Sequence, residues 1–475
     1  MEQPRSASVL AQYPQPDTAR LSAALAAEAN ANQRKIIVLD DDPTGVQTVH
    51  DIFVYTDWSI ESLRKGFAAP EKLFFILTNS RGFTVAETTK AHIEIAEHVD
   101  QVAREFGMDY LIISRGDSTL RGHYPLETDL LRQVAEKKGG FAMDGEILCP
   151  YFKEGGRFTL DNVHYVRYGG ELVPCGQTEF AKDETFGYTS SNLCDYIEEK
   201  TAGKFRAGDI TCISLESLRA LDFDGIEAQL LAVHDFGKVV VNAVEDCDVQ
   251  AFAVALYRAM AKGRHFTIRC AAALVKAIGN ISSQPLLSRE QMVTLKSSAG
   301  GIIVVGSHTK KTTAQLEELK NVPGIEFIEM DSDKVLIPGA LEQEAASIIE
   351  RCAQLIQQGT TCCVSTKRTV LTLPDDTPEA ALVRSVAISD ALQSCVGKLP
   401  VTPAFVVAKG GITSSDVGVK ALRVQCARVL GQIRPGIPVW QTGPESLFPG
   451  TPYVIFPGNV GEVSTLREAV EILLD

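Results

Sequence analysis

Three short stretches in the first half of the chain concentrate acids, arginines and hydroxyls. Asp40, Asp41 and Asp42 stand in a row ahead of Pro43, Thr44 and Gly45. Adjacent carboxylates repel one another unless an arginine, a cation or a hydroxyl lies among them. Thr78-Asn79-Ser80-Arg81 adds a cation and an amide. Ser114-Arg115-Gly116-Asp117-Ser118-Thr119-Leu120-Arg121-Gly122-His123 adds two arginines, an acid and more hydroxyls. Arginine grips a carboxylate through parallel hydrogen bonds, and aspartate accepts hydrogen bonds from hydroxyls. The combination suits a small polyhydroxy acid. The competing reading is plainer: one aspartate caps a turn and the others are solvated.

The second half carries glycines and hydroxyls instead. Gly306-Ser307-His308-Thr309, Lys409-Gly410-Gly411-Ile412-Thr413-Ser414-Ser415 and Pro457-Gly458-Asn459-Val460-Gly461 each precede a helical pattern. Such loops offer backbone N–H groups at a helix start, an arrangement that receives anions. One loop of this kind is weak evidence, whereas three in one region favour a nucleotide phosphate site. The standard nucleotide motifs are missing. Gly-Lys at 203–204, 237–238 and 397–398 is never followed by Ser or Thr, and no G-x-G-x-x-G occurs. Asp235-Phe236-Gly237 matches a protein-kinase tripeptide without its companion motifs and is read as chance.

The elements that must position these loops alternate in type. Apolar runs at 36–39, 73–77 and 110–114 read as strands, each followed by one of the acid or arginine loops. Thr84 and Glu87 are spaced as a capping box, and Pro125 falls in the first turn of the next helix. Strands at 210–214 and 238–244 and a helix over 249–262 continue the rhythm. Residues 145–190 interrupt it with glycines and aromatics and read as a long functional loop or covering flap. After a polar stretch over 279–295, strands at 301–305, 404–408 and 453–456 lead into the glycine loops. The last helix is expected to open on a Thr465–Glu468 capping box. Alternating strands and helices predict an α/β protein of two domains, each a mostly parallel sheet flanked by helices. Ligands in such sheets bind beyond the carboxyl ends of the strands. The expected division is an extension over 1–34, in which Asp17 caps a helix reaching about Ala31, then domains over 35–285 and 286–475.

Composition narrows the function classes. The chain has 475 residues, 46 Lys and Arg against 60 Asp and Glu, and a formal net charge of −14. No basic block offers a face for nucleic acid or anionic membrane. No apolar stretch approaches the ~18 residues of a membrane span. The 11 cysteines are odd in number and form no CxxC, so neither a disulfide framework nor a zinc site is expected. No HxH or HExxH occurs among the eight histidines. With no secretory leader evident, a cytoplasmic enzyme of small molecules is the expectation.

These pieces together resemble the four-carbon acid sugar kinase family. The resemblance runs from about Lys35 to the C-terminus. It rests on Asp41-Asp42-Pro43-Thr44-Gly45, Asp117-Ser118-Thr119-Leu120-Arg121-Gly122 and Gly156-Arg157-Phe158-Thr159 through His164-Tyr165 to Thr178-Glu179 and Asp183. The glycine loops around Ser307, Gly411 and Gly458 complete it. Pro43, Arg115 and Ile412 depart from the residues common in relatives. The resemblance implies ATP-dependent phosphorylation of threonate, erythronate or a 3-oxo-tetronate, with the active site in the interdomain cleft. It implies ATP and Mg²⁺ as cofactors, the metal's protein ligands being unassigned. The partners implied are the acid sugar and the nucleotide, and a homo-oligomer is compatible with this reading.

Under that reading Asp117, Asp42 and Arg121 are the candidate catalytic residues, Asp117 being first choice for the base. Asp41, Thr44, Asn79, Arg81, Arg115 and Ser118 are candidates for the acid substrate, with Arg81, Arg115 and Arg121 for its carboxylate or the transferred charge. Ser307, Gly410, Gly411, Thr413, Ser414, Gly458 and Gly461 are candidates for the nucleotide. Two other functions stay open at this point: a non-catalytic acid-sugar sensor and a nicotinamide-dependent dehydrogenase of similar acids.

Overall fold

In the computed structural model, the strands Leu73–Leu77, Lys35–Asp40 and Tyr110–Arg115 lie side by side and parallel. The register sets Asp40 opposite both Leu77 and Arg115, so the acid loop and the two arginine loops leave the sheet at one edge. Among the described residues, seven strands run side by side here. Their order is Thr211–Ile213, Gly237–Val241, Gly145–Cys149, Phe266–Cys270, Tyr110–Arg115, Lys35–Asp40, Leu73–Leu77, with every pair here parallel. All five residues of Leu73–Leu77 and all six of Lys35–Asp40 are buried, as expected of strands covered on both faces. One helical group joins Ile60–Ala68, Val85–Phe106 and Leu126–Gly139, and a second joins Thr18–Ala31, Phe223–Leu231, Asp246–Ala261 and Ala272–Ile278. The structure describes residues 2–294, 298–374, 376–458 and 460–475. Leu295, the last residue of the polar stretch, and Asn459, in the third glycine loop, lie outside the described residues.

The chain divides into two compact units. One comprises Met1–Gly45 and Asp57–Ser283, and the other Val46–Thr56 and Gln284–Asp475. The expected domain over 35–285 therefore contributes residues 46–56 to the second unit. The strand Ile52–Tyr55 pairs antiparallel with Cys426–Arg434 there. The second unit's sheet runs Ile52–Tyr55, Cys426–Arg434, Ile437–Thr442, Pro452–Phe456, Val406–Lys409, Ile302–Val305, Thr361–Thr366, Ile325–Met330. Its last five strands are parallel. Its core joins Ile303, Val305, Val407, Val439, Val454 and Phe456 from the sheet to Leu316, Leu466 and Val470 from helices.

Several local signals act as their chemistry dictates. Thr84 and Glu87 form the reciprocal capping box at the start of Val85–Phe106, and Gly107 ends that helix in the left-handed region with φ 61°. Asp17 caps Thr18–Ala31 by accepting the Arg20 N–H at 3.0 Å. Three expectations need correction. The last helix begins at Thr465 with Ser464 as its cap residue, and the Thr465 hydroxyl accepts the Glu462 N–H at 2.8 Å, so no Thr465–Glu468 box forms. Pro125 is the cap residue before Leu126–Gly139 rather than part of its first turn. The region 145–190 is not a bare flap: Gly145–Cys149 is a central strand, and Arg157–Leu160, Val163–Tyr168 and Glu171–Pro174 form an antiparallel sheet that Arg5–Ser6 joins. The N-terminal extension is thus folded into the first unit, where Arg258 also pairs with Glu28 at 2.8 Å. Among the described residues no helix is long and apolar enough to cross a membrane.

Candidate active site

In the first unit, the acid loop closes on itself through arginines. Arg81 donates Nε and Nη2 to the two oxygens of Asp41 at 3.1 and 2.6 Å and Nη1 to Asp42 at 2.6 Å. Arg115 donates Nη1 to Asp40 at 3.0 Å and to Asp41 at 3.4 Å. The Thr44 N–H donates to Asp42 at 2.7 Å, and the Thr44 hydroxyl donates to the same oxygen. Asp40 reaches the cluster because residue 45 is glycine: a Cβ there would stand 2.1 Å from the Asp40 carboxylate. Burial pushes the Asp40 carboxyl up to about 8, against the pull of Arg115. Burial likewise raises Asp41 despite Arg81 and Arg115. For Asp42 burial acts upward too, but Arg81, Arg115 and the Thr44 hydrogen bonds outweigh it and leave the carboxyl low. The cluster is therefore an arginine–aspartate lattice in which each carboxylate touches at least one guanidinium. Arg81 and Arg115, expected to face a substrate carboxylate, are already engaged by aspartates of the chain.

The loop after Tyr110–Arg115 carries a second constellation. Arg121 Nε donates to Asp117 at 2.7 Å, and the Thr119 hydroxyl donates to the same oxygen. Burial would raise Asp117, but Arg121, Arg81 and these hydrogen bonds overcome it and hold the carboxyl far below the usual range. Asp117 is thus ionised and fixed in direction. The backbone around it is pinned by buried groups from the 157–197 region. The Tyr188 hydroxyl donates to the Thr119 carbonyl at 2.7 Å and the Tyr196 hydroxyl to the Leu120 carbonyl at 3.0 Å. His164 Nε2–H donates to the Ser118 carbonyl at 2.8 Å while Nδ1 accepts from Thr159 at 2.9 Å. Burial pushes His164 down to about 4, so the ring is neutral and acts as a brace. Asn79 sits in the left-handed region with φ 55° at the head of the short turn Ser80–Gly82.

Beneath these loops lies an ion pair that local sequence patterns did not reveal. Arg269, near the end of Phe266–Cys270, donates Nη1 to Glu127 and, at 2.8 Å, to Ser114. Glu127 also accepts from the Ser80 hydroxyl at 2.7 Å. Glu127 is 2% exposed and Arg269 is 6% exposed, so neither charge is stable without the other. Arg269 is the one charged residue of the wholly buried strand Phe266–Cys270, and a lone cation in such a run is the signal that could have marked it.

In the second unit, the three glycine loops meet. The Thr312 hydroxyl lies 3.0 Å from Ser307 Oγ and 3.1 Å from the Gly458 carbonyl. Thr309 caps the helix Lys310–Leu319 by accepting the Thr312 N–H at 3.2 Å. Gly410 has φ 126° and ψ 147°, and a Cβ there would stand 3.1 Å from the Ser307 Cβ and 3.2 Å from the Thr413 hydroxyl. Nothing stands within 4 Å of a Cβ at Gly411. Ser414 differs from its neighbours: its hydroxyl is buried and donates to the Ala408 carbonyl at 2.9 Å, which spends it on the turn. Gly461, with φ 81°, abuts Thr465 and shapes the entry to the last helix. Gly411–Asp416 is only six residues long and runs on into a wider turn over Val417–Ala421.

Lys409 underlies this junction. It is fully buried, and its Nζ donates to the Pro457 carbonyl at 2.5 Å and the Gly458 carbonyl at 3.1 Å. Burial, with Lys311 nearby, pulls it down to about 7. Lys409 thereby ties the second loop to the third. We expect Gly410→Ala to disrupt the same junction, because a side chain in this glycine-only backbone region costs about 1–3 kcal/mol. Thermal unfolding should show that loss, and nucleotide titration should show at least about tenfold weaker binding. Wild-type behaviour in both measurements would remove Gly410 from the site.

Comparison with known proteins agrees with this division of chemistry. Residues 36–278 match the family described as a sugar-binding N-terminal domain, and residues 302–466 match a nucleotide-binding C-terminal domain. A D-threonate kinase of Salmonella typhimurium is 23% identical over 369 residues, covering 76% of this chain and 80% of that protein. Two crystal structures share the fold. A Haemophilus influenzae protein is 16% identical with a TM-score of 0.60, over 92% of this chain and all of that one. A Salmonella typhimurium protein described provisionally as a tRNA synthase is 15% identical with a TM-score of 0.66, over 91% of this chain and 98% of that one. Such identities speak to fold alone. The paired sugar-binding and nucleotide-binding domains, matched in order along most of the sequence, show that the chain belongs to the four-carbon acid sugar kinase family.

Proposed function

We propose that this protein transfers the γ-phosphoryl group of ATP to the terminal hydroxyl of a four-carbon acid sugar of the threonate, erythronate or 3-oxo-tetronate type. The observation that carries the reading is Asp117, an ionised carboxylate held by Arg121 and Thr119 in the unit that matches the sugar-binding family. Phosphoryl transfer asks the protein for alignment, charge neutralisation and a group to take the hydroxyl proton. Asp117 accepts that proton as the substrate oxygen bonds to phosphorus, the bond to the ADP oxygen breaks, and ADP leaves. Asp117 is ionised before the hydroxyl arrives, so an acceptor is in place as the new bond forms. Arg121 keeps Asp117 aimed and offsets developing charge, while Asp42 and Thr44 present acceptors for substrate hydroxyls. Ser307, Gly410, Gly411, Thr413 and Gly458 are the residues proposed to receive ATP.

A resident Mg²⁺ would need oxygen ligands that no cation of the chain already holds. The Asp40–Asp42 carboxylates each offer an oxygen within 4.8 Å of the others, a hard-cation donor set in type. Arg81 and Arg115 already occupy those carboxylates and bring two positive charges among them, so they do not fit a metal cage. Mg²⁺ in this reading arrives on ATP, held mainly by phosphates and water. The reading is tested by ADP release with ATP and Mg²⁺ against D- and L-threonate, D- and L-erythronate and 3-oxo-tetronates. Turnover on one or more of them is expected. Silence across the set with nucleotide binding intact would put the substrate outside the four-carbon acids.

A further inference from the structure

The arginines of the first unit are not equivalent. Arg81 is taken by Asp41 and Asp42, Arg115 by Asp40 and Asp41, Arg121 by Asp117, and Arg269 by Glu127. Arg157 breaks this pattern. It opens the strand Arg157–Leu160, and its backbone is fixed by reciprocal hydrogen bonds with Phe152 at 2.8 and 3.1 Å. Its guanidinium carbon lies 5.5 Å from the centre of the Phe180 ring, and that of Arg121 lies 5.1 Å from the same centre. Its Nε is buried without a hydrogen-bond partner, and among the described residues no carboxylate pairs with it. Burial accordingly lowers Arg157, with Asp117 the foremost charge acting the other way.

Two guanidinium groups lie over one aromatic ring, and among the described residues only that of Arg121 is paired with carboxylates. Each guanidinium lies over the Phe180 ring, whose face attracts a cation. A guanidinium offers paired donors that match a planar carboxylate. We propose that Arg157, seated on Phe180 beside Arg121, is the residue that recognises the carboxylate of the acid substrate. This inference rests on the function proposed above and deepens it, since it separates the residue that selects an acid from the residues that handle the hydroxyl. Arg81 and Arg115 then serve to hold the aspartates, and the requirement for a carboxylate resides in the antiparallel sheet rather than in the parallel one.

The test uses Arg157→Gln and Arg157→Lys in the full chain. Each is assayed with the four-carbon acid that the wild type uses best, and with the polyol that has CH₂OH in place of its carboxylate. Arg157→Gln should raise KM for the acid about 100-fold with kcat changed only a few-fold. Arg157→Lys should fall between it and the wild type, because an ammonium supplies charge without the fork. Turnover of the polyol should not change. Unaltered nucleotide affinity and melting temperature would show that the variants are folded. Folded Arg157→Gln with a wild-type KM for the acid would overturn the inference while leaving the kinase reading intact. If the wild type turns nothing over, calorimetric titration of the same acids makes the same comparison. Binding lost in Arg157→Gln would then sustain the inference after the kinase reading had failed. Equal binding by both proteins, or none by the wild type, would overturn it.

Discussion

Replacing Asp117 by asparagine should lower kcat by about 10²–10⁴-fold, the range expected when a positioned general base is removed. Asparagine keeps the shape of the side chain and can still accept one hydrogen bond from Arg121 Nε, so the loop should retain its path. What it loses is the negative charge, and with it the capacity to take a proton. The KM for ATP should stay within a few-fold, because Asp117 belongs to the unit that matches the sugar-binding family. Steady-state kinetics with saturating ATP separates the two parameters. Asp42→Asn is the internal control for assignment: Asp42 is bound to Arg81 and Thr44, so its loss should act on substrate KM as well as kcat. Full activity in both variants would remove these aspartates from the site and leave the reaction class standing.

The second large effect is structural. Glu127→Ala should destabilise the first unit by about 3–5 kcal/mol, since it strands Arg269 as an uncompensated charge in the interior. The double variant Glu127→Leu with Arg269→Met should recover much of that loss, because buried ion pairs often exchange with apolar pairs at little net cost. Chemical denaturation of the three proteins makes the comparison. The pair also gives stability a definite pH dependence. Burial raises Glu127, but Arg269, His92 and the Ser80 hydroxyl outweigh it and bring the carboxyl from 4.5 down to about 2. A carboxyl held low in the folded state contributes stability above its unfolded value and loses it as pH falls through the folded one. The wild type should therefore lose this contribution between about pH 4.5 and 2, and the double variant should lack that component. A Glu127→Ala protein as stable as the wild type would mean that Arg269 finds another partner or water.

The sequence carried the parallel architecture well, because buried parallel strands are unbroken apolar runs such as Leu73–Leu77 and chemistry gathers where they end. It carried the antiparallel sheet around Arg157–Pro174 poorly. There the strands are four to six residues long, an Asp-Asn and a Gly-Gly pair separate them, and aromatics obscure the alternation. The passage of residues 46–56 into the second unit left no local mark, since a strand such as Ile52–Tyr55 reads alike wherever it pairs.

The site divides along the same line. Asp42, Asp117 and Arg121 could be proposed from the sequence because each lies within a few residues of a strand end. The partnership of Arg81 and Arg115 with the aspartates could not, because pairing across loops depends on register and not on spacing in the chain. Glu127 and Arg269 are 142 residues apart, and no reading of either neighbourhood joins them. Ser414 shows the reverse case: a hydroxyl in a suggestive loop that the turn itself consumes.

In the proposed reaction, phosphorus moves from ATP to a hydroxyl of a four-carbon acid. The most direct measurement is ³¹P and ¹H NMR of the products after incubation with ATP, Mg²⁺ and each acid of the set. One phosphomonoester should appear per ADP formed, coupled to the protons of the terminal carbon. ADP with free phosphate and no ester, or no consumption of ATP alongside tight binding of an acid, would contradict it, and the second result would favour a sensor of the same ligands.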